Sequence, residues 1–135
     1  MEDAMAYLCT IDGGNGKVGT VGYCLGGKLG FLMCCRTDID CAVAYYGTYI
    51  EHSIAEAPKL HRPFMLHQAM ADAWVPPAVC HFIRRQLSPN KLVEVHDYEG
   101  ADHAFARHGS PVFDAQHAER ALKLSVDFFH KHLDG

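Results

Sequence analysis

The hydrophobic positions of this chain form four short runs that are separated by segments with helical periodicity. Three of them, Val18–Val21, Cys41–Tyr46 and Phe64–His67, are typical of buried strands, and the fourth, Lys91–Tyr98, is predicted as a strand because apolar and polar residues alternate along it. Helices are predicted over Glu2–Leu8, over Lys28–Cys35 and on to about Arg36, over Ala78–Leu87 and over Pro111–Leu133. The segment Tyr49–Arg62 is predicted to be irregular and partly helical. Strands that alternate with helices predict parallel β-α-β units. The expected fold class is therefore α/β, a parallel sheet flanked by helices.

A glycine-rich turn joins the first predicted strand to the helix that follows it. Its sequence is Gly22-Tyr23-Cys24-Leu25-Gly26, a nucleophile with glycine two positions away on either side. Such a turn strains the nucleophile's backbone and lifts its side chain above the sheet, and only glycine fits at the flanking positions. The helix N-terminus favours the thiolate form of Cys24, and the backbone N–H of Leu25 can act as half of an oxyanion hole. The alternative is an ordinary glycine-rich turn with a buried cysteine.

Two later strands also end in loops that carry chemically active side chains. The loop after Phe64–His67 contains Asp72, and the Glu99–Ser110 loop after Lys91–Tyr98 contains His103. The carboxyl ends of parallel strands converge at one edge of a sheet. Nucleophile, acid and histidine is also the chain order of α/β-hydrolase triads. We therefore expect His103 to accept the thiol proton and Asp72 to orient the imidazole, with solvated loop side chains as the alternative.

Length and charge narrow the class of protein. A chain of 135 residues corresponds to a single domain, residues 1–135. The net charge is −4 with histidine neutral, and the basic residues are scattered, which is not typical of a nucleic-acid interface. Charges interrupt every apolar run well before the ~18 residues that a membrane span needs, and the acidic N-terminus lacks the basic region of a secretory signal. We expect no nucleic-acid partner and no membrane association.

The six cysteines bear on compartment and on metal binding. They are Cys9, Cys24, Cys34, Cys35, Cys41 and Cys80. Their irregular spacing, with two adjacent, and an apolar composition that can support a core both favour free thiols in a reducing cytoplasm over disulfides. Neither C-x-x-C nor H-E-x-x-H occurs, so no metal site is expected.

Three motifs, GYCLGG, HQAMADAWVPP and YEGADHAFAR, at these separations resemble the dienelactone hydrolase family, the carboxymethylenebutenolidases. The resemblance implies Cys24 as nucleophile, Asp72 as acid and His103 as base. It suggests that Arg107 binds a substrate carboxylate and that Tyr45 lines the pocket. It also implies a cytoplasmic α/β-hydrolase, free of metal or organic cofactor, that opens dienelactone to maleylacetate or acts on other esters and lactones.

Trp74 and Asp102 lie beside the residues of the expected triad. Trp74 could line the pocket or merely cover the loop of Asp72. Asp102 directly precedes His103, so its carboxylate could compete with Asp72 as the partner of the imidazole.

The resemblance covers nearly the whole chain but only the later part of the family's fold. The expected architecture is thus a partial, C-terminal half of an α/β-hydrolase without the usual N-terminal strands. The first strand would then lie at an exposed apolar edge, which invites pairing. Two interpretations follow: a fragment of a longer protein, or a chain that forms a homo-oligomer through that edge. A non-catalytic binding or assembly module is the alternative to a hydrolase.

Overall fold

The computed structural model describes residues 1–135 and arranges them as one parallel sheet with helices on both faces. In chain order the elements are α1 (Glu2–Leu8), β1 (Gly19–Tyr23), α2 (Leu25–Arg36), β2 (Cys41–Tyr45), a 3-10 helix (Ile50–Lys59), β3 (Phe64–Ala69), α3 (Pro77–Leu87), β4 (Val93–Tyr98) and α4 (Ala115–Leu133). The strands lie in the order β1-β2-β3-β4, and every neighbouring pair is parallel. The predicted α/β class is confirmed.

Several element boundaries differ from those that the hydrophobic pattern predicts. β1 extends to Tyr23 and β3 to Ala69, because each stays in register with its neighbour beyond the end of its apolar run. The last helix begins at Ala115 rather than at Pro111, since the Asp114 carboxylate accepts a hydrogen bond from the N–H of His117 and caps the helix there. The irregular segment after β2 is largely a 3-10 helix.

The three connections between strands all cross the same face of the sheet. α2, the 3-10 helix and α3 bury apolar side chains there, among them Phe31, Ile50 and Ile83. The small side chains of Ala42 and Ala44 on β2 point to this face and let α2 approach the sheet closely. α4 covers the opposite face. Both faces of β2 are therefore buried, which explains its uninterrupted apolar run.

β1 is an edge strand of this sheet. It pairs with β2 on one side and has no partner strand on the other. Its Val21 and Tyr23 side chains are 45% and 51% exposed. The expectation that this strand lies at an apolar edge is confirmed. No helix in the chain combines the length and hydrophobicity that crossing a membrane would require.

A buried chain of polar side chains lies beneath α4. The hydroxyl of Ser125 is 2.8 Å from that of Tyr45 and 2.9 Å from Nε2 of His67, and Nδ1 of His67 is 2.9 Å from the hydroxyl of Tyr98. These contacts join β2, β3, β4 and α4. Ser125 is therefore the α4 residue that faces the sheet here, whereas the adjacent Val126 is 42% exposed.

Candidate active site

The carboxyl ends of the four strands carry the candidate functional side chains. Cys24 directly follows β1 and Tyr46 directly follows β2. The loops that follow β3 and β4 carry Asp72 and His103. The parallel arrangement brings these four positions to one edge of the sheet.

The turn at Cys24 has the strained geometry that its sequence predicts. Cys24 has a φ of +59°, which is unusual for a residue other than glycine. A Cβ atom at Gly22 would overlap with the carbonyl of Gly26, so the chain can turn this sharply only because Gly22 has no side chain. α2 begins at Leu25, whose backbone N–H lies in the first turn, where no preceding carbonyl is available within the helix.

The thiol, the imidazole and the carboxylate form a continuous hydrogen-bonded series. Sγ of Cys24 lies 2.9 Å from Nε2 of His103, and Nδ1 of the same ring lies 2.6 Å from Oδ2 of Asp72. The Asp72 side chain is 1% exposed, and its other oxygen accepts a hydrogen bond of 2.7 Å from the N–H of Trp74. The loop backbone thus fixes the carboxylate, and the carboxylate fixes the imidazole.

Asp102 does not compete for the imidazole. Its Oδ1 accepts a hydrogen bond of 2.7 Å from the backbone N–H of His103, while the ring nitrogen is bound to Asp72. The adjacent carboxylate therefore stabilises the backbone of the loop.

A cavity of about 380 Å³ opens over the thiol. It is lined by Tyr23, Cys24, Tyr46, His103, Ala104, Ala106 and Arg107. Arg107 supplies the only cationic side chain among these lining residues, so an anionic group bound in the cavity would find its partner there. Mostly apolar walls around one fixed charge and one nucleophile are typical of a small-molecule site.

Tyr45 and Trp74 do not line this cavity. The Tyr45 hydroxyl bonds to Ser125 below the sheet, and its ring faces a separate cavity of about 530 Å³ beside α4. This placement corrects the expectation that Tyr45 lines the pocket of Cys24, because alternate residues of a strand face opposite sides and Tyr45 is on the α4 side. Trp74 is 69% exposed, and its ring centroid is 6.3 Å from that of His103 at the mouth of the site.

Tyr46 takes the place that the sequence analysis gave to Tyr45. It is 5% exposed, and its φ of +38° turns it out of the line of β2 and towards the thiol. Burial, with smaller contributions from Tyr23 and Cys24, raises the pKa of Tyr46 to about 12, so its hydroxyl stays protonated at neutral pH. The only sequence signal was the second tyrosine of the Tyr45-Tyr46-Gly47 motif, just before a glycine.

The profile of the dienelactone hydrolase family matches residues 1–133. The chain belongs to the dienelactone hydrolase family. It is 38% identical to the carboxymethylenebutenolidase of Pseudomonas putida over 128 residues, which cover 95% of this chain and 54% of that protein. It is 36% identical to carboxymethylenebutenolidase 1 of Cupriavidus pinatubonensis over 111 residues, which cover 82% of this chain and 47% of that protein. The chain thus spans about half the length of these members of the family.

Solved structures share the fold. A Klebsiella pneumoniae protein described as a dienelactone hydrolase superposes with a TM-score of 0.87 at 22% identity, covering 96% of this chain and 58% of that one. An acylaminoacyl peptidase of Pyrococcus horikoshii superposes with a TM-score of 0.75 at 16% identity, over 98% of this chain and 26% of that one. The sheet and helices of this chain are therefore part of an α/β-hydrolase fold, as expected from the sequence.

Proposed function

We propose that this chain carries the catalytic centre of an ester or lactone hydrolase of the dienelactone hydrolase type, with Cys24, His103 and Asp72 as a triad. The observation that carries the proposal is the pair of contacts at 2.9 Å and 2.6 Å that links thiol, imidazole and buried carboxylate. Family membership and the carboxymethylenebutenolidase relatives support the same class of reaction.

The reaction follows from the position of each group. Sγ of Cys24 adds to the carbonyl carbon of the ester while Nε2 of His103 takes the thiol proton. The N–H of Leu25 donates to the resulting oxyanion. Collapse of the tetrahedral intermediate breaks the carbon–oxygen bond, and His103 gives its proton to the leaving alkoxide, which leaves a thioester on Cys24.

Hydrolysis of the thioester restores the enzyme. Water adds to the acyl carbon as His103 removes one of its protons, and the thiolate of Cys24 leaves and is then reprotonated by His103. Asp72 keeps Nδ1 protonated and stabilises the imidazolium in both half-reactions. The proton balance closes without a metal or an organic cofactor.

The proposed substrate carries a carboxylate. Arg107 provides a cation within the cavity of the thiol, and the remaining walls are largely apolar. A small ester or lactone with an anionic group can therefore be oriented by one ion pair while its carbonyl faces Cys24. We also propose a cytoplasmic location, because all six cysteines are free thiols.

The test compares hydrolysis of a nitrophenyl ester by the wild-type chain, Cys24→Ala and Cys9→Ala. Cys9 is an exposed thiol at the end of α1, so its replacement controls for loss of a reactive cysteine elsewhere. We expect Cys24→Ala to abolish turnover, Cys9→Ala to retain it, and intact-mass measurement to detect an acyl adduct on wild-type protein alone. Turnover by Cys24→Ala would refute the thiol mechanism.

A second comparison tests the carboxylate. Two nitrophenyl esters of equal chain length, one with a terminal carboxylate and one neutral, are assayed with wild type and Arg107→Gln. The substitution should lower kcat/KM for the anionic ester by about 10- to 100-fold and leave the neutral ester nearly unchanged. Equal losses for both esters would exclude the proposed ion pair.

A non-catalytic binding or assembly module is the second candidate function. The observation that favours it is the unpaired edge of β1 with its exposed Val21 and Tyr23, which could pair with another strand or a second copy. Light scattering and the ester assay on one sample distinguish the two functions. A folded protein without hydrolysis or acyl adduct would favour the module.

A further inference from the structure

Tyr46 has a backbone conformation that a tyrosine rarely adopts. Its φ is +38°, although it is bulky and is not a glycine. A bulky residue at positive φ is an outlier that costs free energy, and such strain persists only where the surrounding structure imposes it. The proposed chemistry above gives Tyr46 no part, so the strain needs another explanation.

The segment that carries Tyr46 is bound directly to the nucleophile turn. The N–H of Cys24 donates to the carbonyl of Tyr45 at 3.0 Å, and the N–H of Thr48 donates to the carbonyl of Cys24 at 3.1 Å. The N–H of Tyr46 itself donates to the carbonyl of His67 at 2.8 Å. These bonds hold the end of β2 against the turn on both sides of Cys24 and fix the direction in which the Tyr46 side chain leaves the backbone.

The strained conformation places the Tyr46 ring against the imidazole of His103. The two ring centroids are 5.1 Å apart with the ring planes at 59°. Phe105 supports the other side of the tyrosine, with centroids 5.5 Å apart and planes at 74°. Trp74 is the other aromatic neighbour of His103, but it is mostly exposed and its centroid is 6.3 Å away. Tyr46 is therefore the buried aromatic support of the imidazole.

Two hydrogen bonds alone do not fix the orientation of an imidazole. The contacts to Cys24 and Asp72 hold the two ring nitrogens of His103, and the bond from Cγ to Cβ hinges the ring on its backbone. A side chain packed against the ring face restricts the remaining rotation about the Cα–Cβ and Cβ–Cγ bonds. Asp102 bonds to the backbone of His103 and not to its ring. Packing against the Tyr46 ring therefore adds a restraint that these polar contacts do not supply.

We infer that Tyr46 is a positioning residue, whose ring keeps the His103 imidazole aligned with the Cys24 thiol at the expense of a strained backbone. The inference rests on the proposed function in one respect, namely that His103 is the base for Cys24. The ring performs this role through contact, so phenylalanine should keep the imidazole in the same position.

The test uses three substitutions of Tyr46 and one control. Tyr46→Phe keeps the ring, Tyr46→Asn removes it but tolerates a positive φ, and Tyr46→Leu removes it and keeps an apolar side chain. Tyr49→Leu is the matched control, because Tyr49 is also a tyrosine at positive φ (+62°) but its ring packs against His52, with centroids 5.3 Å apart. Circular dichroism verifies the fold of each variant, and the asparagine variant covers the case in which leucine is too strained to fold.

Three readouts are compared. The first is the rate at which iodoacetamide alkylates Cys24 as a function of pH, the second is the NMR shift of the His103 ring protons, and the third is ester turnover. We expect Tyr46→Asn and Tyr46→Leu to slow alkylation at pH 6 by about tenfold and to lower kcat by about 10- to 100-fold with little change in KM. Both should also move the His103 ring protons, while Tyr46→Phe keeps the wild-type His103 shifts and Cys24 alkylation rate. Tyr49→Leu should resemble wild type in all three readouts.

Two results would overturn the inference. One is unchanged alkylation and unchanged His103 shifts in folded Tyr46→Asn or Tyr46→Leu. The other is a change of the His103 shifts and of Cys24 alkylation in Tyr46→Phe as large as in Tyr46→Asn, which would assign the role to the hydroxyl. Failure of the proposed function has a different signature, because wild-type Cys24 would then react no faster than Cys9. The NMR comparison would still decide the role of Tyr46 in that case.

Discussion

Acid should destabilise this protein through His67, which is fully buried within the polar chain beneath α4. Its Nε2 lies 2.9 Å from the hydroxyl of Ser125 and its Nδ1 lies 2.9 Å from the hydroxyl of Tyr98, so both ring nitrogens have partners. Burial, with smaller contributions from His96 and Arg120, lowers the pKa of His67 to about 3. The native state therefore holds this imidazole neutral.

The direction of the effect follows from which state binds the proton. In the unfolded chain the pKa of the imidazole is near 6.5. Below that pH the unfolded state therefore binds a proton at His67, whereas the native state keeps this imidazole neutral. The contribution of His67 to stability is complete above about pH 6.5 and is lost as the pH falls towards 3. The loss is about 2 to 3 kcal/mol between pH 6 and pH 4.

The measurement is urea unfolding followed by circular dichroism at pH 7, 6, 5 and 4. Wild type is compared with His67→Gln, which keeps an amide in place of the imidazole but cannot titrate, and with His81→Gln on the exposed face of α3. We expect the stability difference between wild type and His67→Gln to shrink by about 2 kcal/mol from pH 6 to pH 4. His81→Gln should follow wild type throughout, and parallel curves for wild type and His67→Gln would refute the reasoning.

Three further outcomes are expected. Gly22→Ala should lower the free energy of unfolding in urea by about 3 kcal/mol or more, because the new Cβ overlaps with the carbonyl of Gly26. Gly26→Ala should change it by under about 1 kcal/mol, because its Cβ would have free space. Equal effects of the two substitutions would contradict the strained turn. Asp72→Asn should lower kcat by about 10²- to 10⁴-fold in the ester assay, since it removes the charge that stabilises the imidazolium, and activity close to wild type would argue against that role. Iodoacetamide should modify Cys24 of the native protein first and Cys9 more slowly. It should spare the other four thiols, because they are buried and burial raises the pKa of each. Early labelling of those four would show that the core opens.

The fold class and the three residues of the candidate triad could be predicted from the sequence. Three short apolar runs and one alternating run, separated by segments with helical periodicity, suffice to predict a parallel α/β sheet. Gly22 specifies a sharp turn at Cys24 through sterics, whereas the expectation that only glycine fits at Gly26 is wrong, because a Cβ there would meet no other atom. Because the carboxyl ends of parallel strands lie at one edge of a sheet, the loops that carry His103 and Asp72 were expected at the same edge as Cys24. Each of these features depends on residues that are neighbours in the chain or on a topology with few alternatives.

Tertiary packing decided which of two adjacent tyrosines faces the thiol, which carboxylate meets the imidazole, and which residue of α4 faces the sheet. Tyr45 and Tyr46 are chemically identical, and only the end of β2 with its positive φ sends the second one to the cavity. Asp72 rather than Asp102 reaches the ring because the loop after β3 lies beside the loop after β4. These choices depend on contacts between segments far apart in the chain, whose distances no local pattern encodes. The sequence therefore determines which groups can take part, and the packing of the strands determines which of them meet.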